Sequence, residues 1–307
     1  MAREISRREF LKAAGVAATT LALNPYVKAA PSPALVKISG EGVARDLAGA
    51  LKKLLEPLGG MAAFVKKGQS VLIKPNLGFP TPPAQRATTD PRLVRAVVDE
   101  VLACSPSRVL VADNPVRRPE ACLRENGVQE ALKGLDVRLL HPTSEKFYRE
   151  VELPRARVLK KTAVFKEALS VDVHIALPVA KSHNAAGFSG ALKGMMGLVL
   201  DRESFHSRYD LNQAIADLCT LLRPALTIMD GLSVMSTDGP AGPGKIITCN
   251  ALIAGTDALA VDALGVQLAP LYGRKLKPSQ TKHLKLAAEM GLGTLEPAGA
   301  GLTELSF

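Results

Sequence analysis

The sequence predicts an α/β protein with a mostly parallel sheet, helices on both faces and a Rossmann-like order of elements. Short apolar segments typical of buried strands alternate with segments whose apolar residues recur at helical spacing. Several of the strand segments end in polar residues or proline, as buried parallel strands do. Apolar residues make up 47% of the chain and aromatic residues only 4%, so the core is expected to be aliphatic.

In the first half of the chain, strands are predicted in PALVKIS, QSVLIKPNL, RVLVADNP and DVRLLHP. The intervening helices are predicted in VARDLAGALKKLLEPL, TTDPRLVRAVVDEVLAC and EACLRENGVQEALKGL. The second of these helices has Asp90 as its expected N-cap and Pro91 at its first helical position.

In the second half, strands are predicted in VDVHIALPVAKSH, in ALTIMDGL and at the start of NALIAGTDALAVDALG. Helices are predicted in SGALKGMMGLVL, in LNQAIADLCTLL, after the expected cap Asp257 and in KHLKLAAEMGLG. ARVLKKTAVFKEALSV predicts an edge strand and a short helix. Residues 30–307 therefore form one large domain or two packed subdomains, with a subdomain boundary expected near residue 150.

Residues 1–29 are predicted to be a twin-arginine signal peptide. SRREFLK is followed by a short, alanine-rich apolar run, and Val27-Lys28-Ala29 suits cleavage before Ala30. The alternative is a basic amphipathic first helix. The signal implies export of the folded protein by the twin-arginine translocation machinery to the periplasm or another extracytoplasmic space, with no stable membrane anchor after cleavage. Export of folded proteins also favours a bound cofactor.

The formal net charge is +10, and the basic residues are scattered. With few aromatic side chains to stack on bases, this composition favours a small anionic ligand and disfavours nucleic acid. The four cysteines lie far apart and form no C-x-x-C pair. No iron–sulfur cluster and no four-cysteine zinc site are therefore expected. Buried, unreactive thiols are expected rather than a disulfide.

Polar residues follow five of the predicted strands. In open parallel sheets, ligands bind beyond the carboxyl ends of the strands, so these residues are expected to meet at one edge. Turn formation and helix capping are alternative roles for Asp113, Asp230 and Asp257. A functional role is favoured for Lys74 and Asn76, because a lysine that directly follows the apolar residues VLI is costly to desolvate without a partner. The five segments are Lys74-Pro75-Asn76, Asp113-Asn114-Pro115, Lys181-Ser182-His183, Asp230-Gly231 and Gly255-Thr256-Asp257.

The segment KSHNAAGFSGALKGMMG, residues 181–197, combines two lysines and a histidine with four glycines. Gly187 and Gly190 are expected to let the backbone approach a bound group, and amides at a helix start suit an anion. A helix beginning near Ser189 would place Lys193 one turn in, facing the same ligand, while His183 would carry protons. The alternative is tight helix–sheet packing with solvated lysines.

GPAGPGK, residues 239–245, matches only half of a phosphate-binding P-loop. Ile246 stands where Ser or Thr would bind magnesium, and two prolines remove backbone donors. A strand-like segment follows instead of a helix. Nucleoside-triphosphate hydrolysis is therefore disfavoured, and a rigid loop bordering the site is expected, with Asp238 facing inward.

Five segments resemble, in the same order, the family catalogued as domain of unknown function 362: VLIKPNLG, RVLVADNP, LPVAKSHNAAGFSGALKGMMG, LTIMDGLSVMSTDGPAGPG and ALIAGTDALAVDALG. The resemblance covers nearly all of the chain after the signal. Many members add a cysteine-rich iron–sulfur module, which this chain lacks. One motif, AAGFSGALK, also resembles lactate racemases that use a nickel-pincer nucleotide. That resemblance implies Lys193 as a covalent cofactor anchor, His183 as an acid–base group and His206 as a metal ligand.

The prediction is an exported enzyme that acts on a small anionic substrate by lysine and histidine acid–base chemistry, of isomerase, racemase or redox type. A non-catalytic periplasmic anion-binding or cofactor-carrier protein is the alternative, and a direct metalloenzyme using Asp113, His183, Asp230 and Asp257 is a third. The cofactor is not identified; a metal or a nucleotide-derived group is considered. The expected catalytic residues are His183, Lys181 and Lys74; the expected cofactor-binding residues are Lys193, Gly187, Gly190, Asn76 and Asp113; the expected metal ligands are His206 and Asp230.

Overall fold

Strands and helices alternate along residues 35–307, which are the part of the chain that this computed structural model describes. The predicted signal peptide, residues 1–29, lies outside the described residues. The twelve strands of this part are β1 (Leu35–Ser39), β2 (Ser70–Pro75), β3 (Arg108–Ala112), β4 (Arg138–Leu140), β5 (Tyr148–Glu152), β6 (Lys161–Phe165), β7 (Val173–Leu177), β8 (Val179–His183), β9 (Gly187–Ser189), β10 (Leu226–Met235), β11 (Ile246–Gly255) and β12 (Leu302–Ser306).

The α-helices are mostly short, and 3₁₀ turns extend several of them. They are α1 (Gly42–Arg45), α2 (Leu47–Leu55), α3 (Met61–Phe64), α4 (Pro91–Ala103), α5 (Pro119–Glu125), α6 (Val128–Ala131), α7 (Ala191–Gly194), α8 (Glu203–Ser207), α9 (Leu211–Leu218), α10 (Ala258–Val266) and α11 (Lys282–Glu289). Within residues 35–307 no helix has the length and apolar character needed to cross a membrane.

The main sheet has the strand order β12-β1-β11-β10-β7-β2-β3-β4. The strands from β10 to β4 are all parallel, whereas β11 runs antiparallel to both of its neighbours, β1 and β10. Beyond Pro178, β8 continues the line of β7 beside the second half of β10 and pairs with β9. β5 and β6 form a separate antiparallel pair. The predicted α/β class with a mostly parallel sheet is confirmed.

Both faces of the sheet are covered by helices. Along β2, Val71 and Ile73 join one aliphatic core with residues of α2 and α4, whereas Leu72 joins a second core with residues of α7, α9 and α10. This division follows from the twofold alternation of side chains along a strand. Because both faces are buried, the central strands β2, β3 and β7 are predominantly apolar, as the sequence shows.

Three predicted helices are shorter than expected. The first is divided at Asp46, whose carboxylate accepts a hydrogen bond from Gly49 N at 2.8 Å and caps α2. The third is divided at Gly127, which has a φ of +75°. SGALKGMMGLVL forms only the four residues of α7 and a 3₁₀ turn, Met195–Leu198. Asp90 caps α4 and Asp257 caps α10, as predicted.

Candidate functional site

A cavity of about 850 Å³ lies at the carboxyl ends of β2, β3 and β8. It contains Lys74 and Asn76 after β2 and Asp113 after β3, together with Lys181 and His183 of β8. The structure thus brings together three of the five predicted strand ends. The ionisable residues that line the cavity are Lys74, Asp113, Arg117, Lys181, His183, Lys193, Asp201, Arg202, Glu203 and His206.

A buried ion pair forms one wall of the cavity. Lys74 Nζ lies 2.9 Å from Asp113 Oδ1, and both side chains are 4% exposed. Lys74 Nζ also donates to the Pro75 carbonyl at 3.0 Å, while Asp113 Oδ2 accepts from Leu77 N at 2.7 Å. Both charges therefore have partners, as buried charges require. Gly197 leaves room for the pair, because a Cβ there would overlap Asp113 Oδ1 and lie 2.7 Å from Lys74 Nζ.

We therefore expect Gly197→Ala to lower the free energy of unfolding by about 1–3 kcal/mol, the usual cost of overpacking a buried site. The added methyl group would push against the ion pair and the cavity wall. Denaturant unfolding measures the loss. Gly299→Ala is the matched control, since the nearest atom to a Cβ there lies 3.8 Å away. Equal stability of the two variants would contradict the proposed contact.

Lys181 is fully buried beside the cavity. Its ammonium donates to the Ala87 carbonyl and lies 4.7 Å from the centre of the Phe79 ring. Desolvation and, to a smaller extent, the Lys193 charge together lower the pKa of Lys181 to about 7. Both neutral and charged forms of this amine are therefore present near neutral pH. Its contacts tie β8 to the proline-rich loop that follows β2.

Lys193 lies in α7 and reaches the same cavity. Desolvation, together with repulsion from Arg202 and Lys74, lowers its pKa to about 8. No carboxylate of residues 35–307 lies within ion-pair distance of its ammonium group. Lys193 thus presents an amine without an acidic partner to the cavity.

Arg202 is held in place by backbone carbonyls. Its guanidinium donates to the carbonyl oxygens of Asn114 and Pro115, directly after β3. Asn114 is itself fixed, because its N–H donates to Gly197 O at 2.8 Å and its side chain donates to Val199 O at 2.9 Å. A guanidinium anchored in this way is suited to bind a carboxylate or phosphate that enters the cavity.

Two histidines complete the cavity. The rings of His183 and His206 are nearly parallel, with centroids 6.4 Å apart and an interplanar angle of 8°. Ala185 N and Ala186 N both donate to His183 Nδ1 at 3.2 Å, which leaves the ring proton on Nε2. Burial, together with the Lys193 and Lys181 charges, holds the pKa of His183 far below its usual range. Burial and the same Lys193 charge also lower the pKa of His206. Both imidazoles are therefore neutral.

The amides at the start of α7 do not face a ligand. Ala191 N and Leu192 N donate to the carboxylate of Asp262 at 2.6 and 2.9 Å. Gly190 accommodates this carboxylate, because a Cβ at Gly190 would overlap Asp262 Oδ1. Gly187, the first residue of β9, has a φ of +76° and lies outside the cavity lining. The expectation that Gly190 and these amides approach a bound anion is wrong, since the protein's own Asp262 occupies that position.

Two predicted strand ends lie elsewhere. Asp230 is inside β10, where Arg86 pairs with its carboxylate and Asp90 N donates to Oδ2 at 2.8 Å. Asp257 lies at the opposite edge, because β11 is antiparallel; there it caps α10 and accepts from Thr294 N at 2.9 Å. The expectation that all five strand ends meet is wrong for these two.

The predicted metal ligands do not form one site. His206 lines the cavity, whereas Asp230 is engaged by Arg86 outside it. Among the described residues, no group of three or more His, Cys, Asp or Glu side chains is arranged to hold a metal ion. The four cysteines, all within this range, are free.

In the loop between β10 and β11, Pro240 and Ala241 border the cavity as expected, but Asp238 is exposed and is not part of its lining.

The family model described as "Domain of unknown function (DUF362)" matches residues 71–267, almost two thirds of the chain. The chain belongs to this family. The match includes every residue that lines the cavity. The cavity is therefore part of the DUF362 domain itself, which confirms the resemblance found in the sequence segments.

Three individual proteins are similar to this DUF362 chain. A thylakoid-associated protein of Synechocystis sp. is 28% identical over 268 residues, covering 85% of this chain and 79% of that protein. The lactate racemase apoprotein of Thermoanaerobacterium thermosaccharolyticum has a TM-score of 0.47 and 16% identity, covering 76% of this chain and 57% of that one. A Thermotoga maritima protein has a TM-score of 0.42 and 12% identity, with coverages of 82% and 60%. The chain thus spans less than two thirds of either solved structure.

Sequence reasoning missed three residues that shape the DUF362 cavity. Arg202 follows the short turn after α7, where its charge resembles that of many surface arginines. Phe79 stands in a proline-rich loop and gave no periodic signal. Asp262 could have been found, because it is a lone carboxylate in the apolar helix segment ALAVDALGV, and a buried charge there requires a specific partner.

Proposed function

We propose that this protein is an exported enzyme that binds a small anionic substrate in the cavity and acts on it by lysine and histidine acid–base chemistry. The observation that supports the proposal most is the pairing of two amines of lowered pKa, Lys181 and Lys193, with two neutral imidazoles around one cavity. Groups that exchange protons near neutral pH are the ones that acid–base catalysis needs.

The charge of the cavity favours an anion. Its basic lining residues outnumber its acidic ones, and the Asp113 carboxylate is already paired with Lys74. Arg202 and Lys193 remain to bind a carboxylate or phosphate. Desolvation strengthens such contacts, because a charge interacts more strongly where water is excluded.

The roles in proton transfer follow from the lowered pKa of Lys181 and the lowered pKa of His183. The amine of Lys181 has a pKa of about 7 and can both accept and return a proton near neutral pH. His183 has its proton on Nε2 and can donate it to a reacting group, whereas its Nδ1 is occupied by two backbone amides. We assign the acid–base step to Lys181, with His183 as the hydrogen-bond donor beside it, and the orientation of the substrate anion to Lys193 and Arg202.

A nucleotide-derived cofactor, which the racemase resemblance implies, fits the residues present. Lys193 offers a free amine to anchor it, and His183 and His206 offer nitrogen donors in the same cavity. When bound, such a group would supply metal-centred redox chemistry that side chains lack. The mass and metal content of the purified protein test this directly.

Calorimetric titration with oxalate, lactate and phosphate tests the proposal. We expect at least one of these anions to bind, and we expect Lys193→Met to weaken binding about tenfold or more through the loss of one desolvated charge. Lys285→Met is the control, because Lys285 is 61% exposed on α11 and forms only a 4.0 Å pair with Glu289. Equal anion affinity of the unaltered protein, the Lys193→Met variant and the Lys285→Met variant would contradict the proposal. Binding without turnover of a range of 2-hydroxy and 2-oxo acids would favour an anion-binding or carrier protein.

The affinity for an anion is expected to fall as pH rises. Below a pKa of about 7 for Lys181 and about 8 for Lys193 the amines are charged and attract an anion, and above these values they are neutral. Binding raises both pKa values, so the protein takes up protons on binding between these pH values. Titrations in buffers of different ionisation enthalpy measure this uptake. An affinity and enthalpy independent of pH and buffer would contradict the account.

Export is proposed from the twin-arginine motif, and a relative named as thylakoid-associated is consistent with a location at or beyond a membrane. In a bacterium with a twin-arginine pathway, replacing Arg7 and Arg8 with lysine is expected to retain the full-length protein in the cytoplasm. Arg3→Lys is the control and should be exported normally. Export of both variants at equal rates would contradict a twin-arginine signal.

A further inference from the structure

Lys193 differs from the other two lysines of the cavity in having an uncommitted nitrogen. Lys74 is paired with Asp113, and Lys181 donates to the Ala87 carbonyl beneath the Phe79 ring. Lys193 reaches the cavity from α7 without a carboxylate partner among residues 35–307. Its surroundings are cationic and desolvated, which is the environment that turns a lysine into a nucleophile.

The cavity that holds this amine also holds a carboxylate-binding group. Arg202 is fixed by the carbonyls of Asn114 and Pro115 and lines the same cavity as Lys193. If a substrate binds Arg202 through its carboxylate, a carbonyl carbon bonded directly to that carboxylate would face the Lys193 side of the cavity. That combination of groups, a carboxylate beside a ketone or aldehyde, defines a 2-oxo acid.

We propose that Lys193 is a carbonyl-reactive residue that forms a Schiff base with a 2-oxo acid bound in this cavity. The proposal rests on the proposed function, of which it names the substrate class. The uncharged nitrogen adds to the carbonyl carbon to give a carbinolamine. The carbonyl oxygen then leaves as water, and the two protons of that water come from the Lys193 nitrogen. No oxidant or reductant is required for this step.

The two histidines are placed to move these protons. His183, His206 and Lys193 line the same cavity, and the centroids of the two imidazole rings lie 6.4 Å apart. His183 can donate from Nε2, since two backbone amides occupy its Nδ1, while the neutral His206 ring can accept a proton at one nitrogen and release one from the other. Proton transfer from nitrogen to the departing oxygen can therefore occur inside the cavity.

Reductive trapping tests the proposal. The full purified protein is incubated with pyruvate or glyoxylate and then with sodium borohydride, which reduces the imine to a stable secondary amine. We expect a mass increase of one substrate less one oxygen, with about one adduct per chain, and peptide mapping should place it on Lys193. Absence of an adduct, or an adduct spread evenly over exposed lysines, would overturn the inference.

Two variants provide the controls. Lys193→Arg keeps the positive charge but cannot form an imine, so trapping should fall about tenfold or more. Lys133→Arg changes a lysine whose side chain is 76% exposed and should leave trapping unchanged. Since mapping uses the unaltered protein, the result does not depend on the folding of a variant. A covalent group already present on Lys193 after purification would also overturn the inference.

The failure of this inference and that of the proposed function can be told apart. Calorimetry with pyruvate in the absence of borohydride reports binding alone. Binding that needs Lys193 but leaves no trapped adduct contradicts the Schiff base and leaves the anion-binding enzyme in place. If pyruvate and glyoxylate neither bind nor are trapped while oxalate binds, only the 2-oxo acid assignment fails.

Discussion

Asp113→Asn should reduce the free energy of unfolding by about 3–5 kcal/mol, the usual cost of breaking a buried ion pair from one side. The substitution keeps the shape of the side chain but removes its charge. Lys74, whose side chain is 4% exposed, would then hold a buried ammonium that faces a neutral amide. Urea-induced unfolding followed by circular dichroism measures the change.

The matched control for this substitution is Asp99→Asn. Asp99 pairs with Arg95 on the surface of α4 at 2.8 Å, and the two side chains are 43% and 47% exposed. Exposed pairs of this type contribute about 0–1 kcal/mol. A loss of the same small size for Asp113→Asn would show that Lys74 and Asp113 do not form the buried pair described here.

Asp262→Ala should destabilise the protein by about 2–6 kcal/mol, because it leaves two buried amides without acceptors, at about 1–3 kcal/mol each. Ala191 N and Leu192 N both donate to this carboxylate, and they begin the helix that carries Lys193. We therefore also expect weaker anion binding from the variant, even under conditions where it remains folded. Thermal unfolding and calorimetry measure the two effects.

Asp46→Ala serves as the comparison for Asp262→Ala. Asp46 caps α2 through a single bond to Gly49 N and is exposed. The loss of an exposed N-cap costs about 1 kcal/mol. If Asp262→Ala costs no more than Asp46→Ala and leaves anion binding intact, Asp262 neither closes the start of α7 nor positions Lys193.

The convergence of Lys74, Asp113 and His183 could be predicted from the sequence. Their strands are parallel, and the carboxyl ends of parallel strands lie at the same edge of a sheet. The predicted position of Asp257 was wrong because the sequence of an apolar strand does not show whether the strand is parallel or antiparallel. The sequence of β11 resembles those of the parallel strands, but β11 follows a ten-residue loop and pairs antiparallel with β10. Its polar end therefore lies at the far edge.

The glycines of the segment 181–197 show a second limit of sequence reasoning. Their density correctly indicated close approach, but not what approaches. At Gly190 the neighbour is Asp262, and at Gly197 it is the pair of Lys74 and Asp113. All three neighbours lie far away in the sequence, so their contacts depend on the tertiary fold. A search for isolated carboxylates in apolar helices would have identified Asp262.

The location of a bound anion tests the account most directly. We would determine a crystal structure of the protein with oxalate, or whichever test anion binds most tightly, at a concentration that saturates the calorimetric titration. The account predicts the anion in the cavity, in contact with Lys193 and Arg202 and adjacent to His183. An empty cavity at saturation, or the same anion bound at another surface with Lys193 and Arg202 unoccupied, would contradict it.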